Sequence, residues 1–207
     1  MRRKPNIEAR LERCADLLVA TPETLRGRWL SAFRYDELYV ELGCGKGLFA
    51  FETAKSNPNV LIAALEKSAS VMIAGPERAI AAGVSNIRFI HSLADNLMSY
   101  FAPGEVSRIY INFCDPWPGD RHAKRRLTHR RFLELYKLVL SPGGEVYFKT
   151  DNVPLFDFSL LEFEDNGFSI SHLTRDLHKD GIVGLMTEYE QKFHALGTPI
   201  CFARFSL

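Results

Sequence analysis

The residues best suited to chemistry are Asn112-Phe113-Cys114-Asp115-Pro116-Trp117-Pro118 and the block after them, Arg121, His122, Lys124, Arg125 and Arg126. A carboxylate stands beside an aromatic ring on a loop braced by prolines, which fix their own φ and restrict Asp115 and Trp117 before them. Such a loop costs little to order on binding. From Arg121 to Arg131 the chain carries six Lys/Arg and no acid. His129, Arg130 and Arg131 fall in the first turn of an expected helix, where positive charge opposes the macrodipole. Phosphate binding through charge and counterion release is the simplest use of such a run; a solvated basic face is the plain alternative. Trp117 could stack on a base or serve as an ordinary core tryptophan. The combination is what an enzyme needs to handle a base within a polyanionic nucleic acid.

A second constellation lies upstream. Glu41-Leu42-Gly43-Cys44-Gly45-Lys46-Gly47 follows an apolar run and opens a helical pattern. Its glycines allow a tight turn and close approach to a ligand. The spacing differs from the dinucleotide fingerprint, and the Gly-Lys-Ser/Thr ending of a phosphate loop is absent. An acid at the strand end, Glu41, favours an amine-bearing or cationic ligand over a pyrophosphate. Glu66, roughly 20 residues beyond the turn, suits the hydroxyls of a ribose. A ribose, an amino-acid tail, a sulfonium and no phosphate describe S-adenosylmethionine. Cys44 and Lys46 read as structural or incidental.

Further acids follow: Asp151 in Thr150-Asp151-Asn152, and Glu188 and Glu190 in Thr187-Glu188-Tyr189-Glu190. A carboxylate matches the two adjacent donors of guanine, N1–H and the 2-amino group, which adenine does not offer. Any one of the three could read that edge; each could equally be an exposed loop acid.

The elements that must position these groups alternate. Strands are expected at Leu38–Leu42, Val60–Leu65, Ile87–His91, Arg108–Phe113 and Glu145–Thr150. Helices are expected at Leu48–Lys55, at Ser68–Ala82 with a break at Gly75-Pro76, and after a Thr128 N-cap, with Phe132, Tyr136, Val139 and Leu140 on the apolar face. Ser141-Pro142-Gly143-Gly144 stops that helix. The tail has a run at Phe168–Leu173, then an expected hairpin of Tyr189–Leu196 with Ile200–Phe205, turning at Gly197-Thr198-Pro199. This pattern predicts an α/β fold, a doubly wound Rossmann-like sheet, mostly parallel with an antiparallel C-terminal hairpin at its edge. Ligands of such sheets bind at the carboxyl ends of the strands. Residues 1–34 are expected as a basic, partly flexible leader, with a turn-like stretch at Thr21–Trp29, and 35–207 as the α/β domain.

A chain of 207 residues suits one well-packed domain. A net charge of +1 gives no global basic field, so nucleic-acid affinity must come from local clusters, at Met1–Lys4 and Arg121–Arg131. Cys14, Cys44, Cys114 and Cys201 have neither CxxC spacing nor a Cys/His ligand pattern, so no metal is expected and a reducing cytoplasm is. No secretory signal and no membrane span are expected.

These residues resemble the bacterial tRNA (guanine-N7)-methyltransferases. The match is ordered: Arg3-Lys4-Pro5, Pro22 to Trp29, Glu41 to Gly47, Glu66, Asn112 to Pro118, Arg121-His122, Lys124-Arg125-Arg126-Leu127, Lys149-Thr150-Asp151-Asn152, and Thr187 with Glu190. The Asp-Pro-Trp-Pro and Arg-His block is its most specific part. The resemblance implies methylation of N7 of a guanine in the tRNA variable loop, with S-adenosylmethionine as donor. It implies cofactor contacts from Glu41, Gly43, Gly45, Glu66, the Leu93-Ala94-Asp95 segment and Asp115, with Asp115 also catalytic. It implies tRNA contacts from Trp117, Arg121, His122, Lys124, Arg125, Arg126, Asp151, Thr187, Glu188 and Glu190. The protein would act on tRNA away from membranes, as a monomer or homodimer. Two positions depart from the pattern: Leu93 stands where the family has an acid near the adenine, and Gly119 where it often has a substrate lysine. Two other readings remain: a methyltransferase of exocyclic base amines, whose motif Asp115–Pro118 partly echoes, and a non-catalytic RNA-binding protein on the same fold.

Overall fold

In a computed structural model, which describes residues 6–181 and 185–207, the chain forms two compact units that meet in sequence at Ala102 and Pro103. Met1–Lys4 and Pro5 of the expected leader lie outside the described residues.

The first unit begins with α1 (Ile7–Arg13) and α2 (Trp29–Phe33), separated by short 3-10 turns at Ala15–Leu17 and Pro22–Leu25. The turn-like Thr21–Trp29 stretch is therefore partly helical, and Trp29 is fully buried. Its indole N–H donates to the Tyr100 carbonyl at 2.8 Å, and its ring lies 5.4 Å from that of Phe101. Arg10 Nε donates to Glu77 at 2.7 Å, and Leu18 bridges to Phe89. These contacts bind residues 10–29 to the strand at Phe89 and to the helices that carry Glu77 and Tyr100.

Next come β1 (Glu37–Leu42), α3 (Leu48–Ser56), β2 (Val60–Glu66), α4 (Ala69–Met72), α5 (Ala74–Ala81), β3 (Ile87–His91) and α6 (Leu97–Tyr100). The strands are parallel in the order β3-β2-β1, with Leu42 opposite Leu65 and Glu66 opposite His91. Every residue of the middle strand is buried, which explains its continuous apolar run. The expected helix Ser68–Ala82 does break, but at Ile73. Pro76 has no N–H to give the Met72 carbonyl, so the ladder stops one turn before the proline, which sits in the first turn of α5.

The second unit contains β4 (Val106–Asn112), α7 (Arg130–Val139), β5 (Leu140–Thr150), α8 (Val153–Asp165), β6 (Ser169–Thr174), α9 (Glu188–Ala195) and β7 (Cys201–Ser206). Its strand order is β4-β5-β7-β6; β4 and β5 are parallel, and β7 is antiparallel to both β5 and β6. The antiparallel edge is present, but β7 takes different partners from those expected. The expected strand Tyr189–Leu196 is helix α9 instead. Thr187 Oγ1 accepts the Glu190 N–H at 2.9 Å and Glu190 reaches back to the Thr187 N–H, a capping box that starts a helix. At its far end Gly197, at φ 70°, lets the Gly197 and Thr198 N–H groups close onto His194 and Phe193. The edge strand is β6, from the Phe168–Leu173 run.

Two further local differences have clear causes. The N-cap of α7 is His129, whose Nδ1 accepts the Arg131 N–H at 3.2 Å; Thr128 is buried with its hydroxyl accepting from Ser159 at 2.7 Å. Helix α8, not anticipated, is capped by Asn152, whose Oδ1 accepts the Leu155 N–H at 2.8 Å, with Pro154 in its first turn. Among the described residues no helix is long and apolar enough to cross a membrane.

Candidate active site

In the first unit the carboxyl ends of β1, β2 and β3 carry Glu41, the glycine turn, Glu66 and Ser92–Asp95 on one edge. Gly43, Gly45 and Gly47 all have positive φ, at 75°, 58° and 69°. Both the Gly43 and Cys44 N–H groups donate to the Leu65 carbonyl at 2.9 Å, folding the turn back over β2. Gly47 is also required by space: a Cβ there would lie 2.8 Å from the Phe89 ring. A Cβ on Gly43 or Gly45 would meet no protein atom within 4 Å, so the backbone there faces open room that a ligand can enter.

Glu41 is 2 % exposed. Glu66 is also buried, and its two oxygens accept the Gly45 N–H at 3.1 Å and the Ser68 N–H at 2.9 Å. Each carboxylate oxygen keeps a second lone pair, so the acid that shapes the turn can still accept from a ribose. The Ser92 N–H donates to the Glu66 carbonyl at 3.1 Å, which sets Leu93, Ala94 and Asp95 beside that acid. Leu93 is 51 % exposed and Asp95 is exposed in a 3-10 turn. Burial pushes the Cys44 thiol well up, and the Glu41 and Glu66 charges add to the shift, so Cys44 is no nucleophile.

In the second unit β4 ends at Asn112 and the chain enters the proline-braced loop. Phe113 and Trp117 have φ of 50° and 42°, a region that costs bulky side chains on the order of 1–2 kcal/mol. Arg126 holds the strained turn: its guanidinium donates to the carbonyls of Pro116 at 3.1 Å and Trp117 at 3.2 Å. Asp115 is exposed on this loop and Trp117 half-buried. Burial, with the Asp115 charge beside it, pushes the Cys114 thiol up to about 12. The Arg125 guanidinium lies 4.8 Å over the Trp117 ring. Gly119 has φ 85° and ψ 145°, a backbone state open essentially to glycine, so a lysine there would be strained. That departure from the family pattern is built into the loop.

The basic run divides by environment. Arg121, Lys124 and Arg125 are exposed, and Arg121 Nε donates to His122 at 3.0 Å. Arg130 instead pairs with Glu162 of α8 at 2.8 Å, and the same carboxylate accepts the Arg130 backbone N–H at 2.6 Å. Glu162 thus supplies the negative charge that the start of α7 lacks in its own sequence.

The acids near the C-terminus also separate. Asp151 is half-buried at the end of β5 and Glu188 half-buried in the first turn of α9. Glu190 is 1 % exposed: besides the capping box it accepts from Lys149 Nζ at 3.1 Å and lies 3.3 Å from His178 Nε2. One aromatic group escaped the sequence reading. Tyr189 rests on Phe193 at 4.3 Å between ring centroids and on Phe113 at 5.0 Å. Its sequence signal is an aromatic inside the capping box Thr187-Glu188-Tyr189-Glu190.

Residues 36–203 match the Methyltransf_4 family model, described as "Putative methyltransferase". The tRNA (guanine-N(7)-)-methyltransferase of Geobacillus kaustophilus (strain HTA426) is 42 % identical over 202 residues, 97 % of this chain and 93 % of the relative. That of Bacillus subtilis (strain 168) is 41 % identical over 97 % of this chain and 95 % of its own. The chain belongs to the tRNA (guanine-N(7)-)-methyltransferase family. Solved structures agree on the fold. The 16S rRNA methyltransferase KamB superposes with a TM-score of 0.67 at 16 % identity, over 86 % of this chain and 92 % of KamB. A 16S rRNA (adenine(1408)-N(1))-methyltransferase variant with cosubstrate SAM from Catenulisporales acidiphilia gives 0.62 at 14 % identity, over 87 % and 90 %. This family member therefore has the α/β methyltransferase fold, mostly parallel with an antiparallel edge.

Proposed function

We propose that the protein transfers the methyl group of S-adenosylmethionine to N7 of a guanine in the variable loop of tRNA. The observation that carries this reading is the likeness, about 42 % over nearly the whole chain, to enzymes named for that reaction. The glycine turn fits the cofactor, because open room lies over Gly43 and Gly45 and two buried acids flank it. Glu41 would meet the amino-acid tail, Glu66 the ribose, and Leu93, Ala94 and Asp95 the adenine. Asp115 would contact the cofactor as well as the substrate. When bound, the cofactor supplies an electrophilic methyl.

Guanine N7 carries an in-plane lone pair, so no proton has to leave before attack. What remains is alignment and electrostatics. Positive charge appears on the purine as the bond forms. The Asp115 carboxylate on its proline-braced loop orients the guanine and stabilises that charge, without acting as a general base. Either Asp151 or Glu188 reads the N1–H and 2-amino edge; Glu190 and Thr187 hold α9 through the capping box and serve the substrate indirectly. Arg121, His122, Lys124 and Arg125 meet phosphates, Arg126 keeps the loop in shape, and Trp117 lines the RNA path. The base leaves its stack to be reached. Residues 1–34 are a basic leader to the methyltransferase domain at 35–207. The protein works in the cytoplasm, where tRNA is modified, as a monomer or homodimer.

The test is incubation with methyl-labelled cofactor and unmodified tRNA, followed by nucleoside analysis. N7-methylguanosine is expected, and Asp115→Asn lowers the rate. A different methylated nucleoside, or an unchanged Asp115→Asn rate, overturns the assignment.

A further inference from the structure

We infer that Tyr189 is the stacking platform for the target guanine, with Phe113 and Phe193 as its support. The inference rests on the proposed reaction and names a substrate contact for it.

Three observations converge on Tyr189. It is 46 % exposed, although it is a large ring in the first turn of α9. It is nevertheless anchored: Phe193 stacks on it at 4.3 Å and 24°, and Phe113 meets it at 5.0 Å and 44°. Both supporting rings pack against the buried cluster of Leu177, Ile200 and Phe202. An exposed ring held by packed neighbours presents area to a ligand at little entropic cost.

Its neighbours fit guanine in particular. Phe113 lies two residues before Asp115 in the same loop, so a base stacked on Tyr189 sits beside the segment that carries the proposed aligning carboxylate. Asp151 is close enough that its charge, second to burial, raises the Tyr189 phenol. An acid at the rim of an aromatic platform suits a base with two adjacent donors. Trp117 is the half-buried ring, with the Arg125 guanidinium 4.8 Å from its centroid. Its position in the basic loop fits the RNA strand better than the extruded base.

The test compares Tyr189→Ala, Tyr189→Leu and Tyr189→Phe. Stacking on a base is worth enough that Tyr189→Ala should lose about tenfold to a hundredfold in kcat/KM for tRNA. Tyr189→Leu keeps the packing on Phe193 without a π face and should lose nearly as much. Tyr189→Phe should stay within about threefold of wild type. All three should bind S-adenosylmethionine like wild type by calorimetry. A second readout needs no methyl transfer. In a tRNA carrying 2-aminopurine at the target position, wild type and Tyr189→Phe quench the extruded base, and Tyr189→Leu leaves it bright. A Tyr189→Leu variant with wild-type kcat/KM and quenching overturns the platform. If wild type makes no N7-methylguanosine, the proposed reaction falls and the quenching comparison still decides the platform.

Discussion

Replacing Glu190 with glutamine removes one negative charge from a side chain 1 % exposed, while keeping a capping-box residue at the same place. Its partner is Lys149, whose side chain is 10 % exposed and whose Nζ also donates to the Leu185 carbonyl at 3.1 Å. His178, 3.3 Å from the Glu190 carboxylate, supplies no replacement, since an imidazole carries no negative charge and burial pulls its pKa down. Glu190→Gln therefore leaves a buried ammonium without its counter-charge, a loss of about 3–5 kcal/mol in comparable cases. The remaining Leu185 bond puts the cost near the lower end, about 3 kcal/mol. For a chain of this size that is a melting-temperature drop of roughly 6–12 °C if unfolding is cooperative. Calorimetric or fluorescence melting measures it, and hydrogen exchange of the α9 amides shows whether that helix opens first. The double variant Lys149→Met with Glu190→Gln carries no uncompensated charge and should recover at least half of the loss. A single variant within about 1 kcal/mol of wild type, or a double variant showing the sum of both single losses, refutes the argument. The same pair separates roles: if Glu190 acts through α9, methylation returns with stability in the double variant; if it reads the base, it does not.

Two further predictions concern the basic loop and its helix. Arg125→Ala should lower the slope of log affinity for tRNA against log salt by about one and leave the fold of the loop intact. Arg126→Ala also frees the Pro116 and Trp117 carbonyls, so it should reduce kcat as well; identical behaviour of the two variants contradicts the division. For Glu162, burial alone would raise the pKa, but the side-chain and backbone bonds from Arg130 overcome it and hold the carboxyl below its usual 4.5. A depressed carboxylate contributes stability that is complete above the ordinary value and is lost as pH falls through the folded one. Glu162→Gln should thus cost about 1–2 kcal/mol at pH 7. Its urea stability should fall less steeply than wild type below pH 4.5, and parallel curves would rule the contribution out.

What the chain determines locally is legible in it. The strands up to β5, the glycine turn, the acids at the strand ends and the basic run follow from apolar periodicity and from the backbone freedom of particular residues. The family resemblance rests on the same short-range words. Tertiary structure decided which of those residues remain available. Lys149 and Glu190, 41 positions apart, remove one of three candidate acids from solvent. Arg125 lies over one face of Trp117, and Arg126 becomes a brace for the Pro116 and Trp117 carbonyls. The capping box at Thr187 is written in the sequence, and Tyr189, Phe193 and Leu196 after it fall at the helical spacing i, i+4, i+7. The pairing of β7 with β5 and β6 left Tyr189–Leu196 without a strand partner, so the capped helix prevailed. Exposure and pairing depend on groups far apart in the chain, whereas a turn or a cap is settled within a few residues.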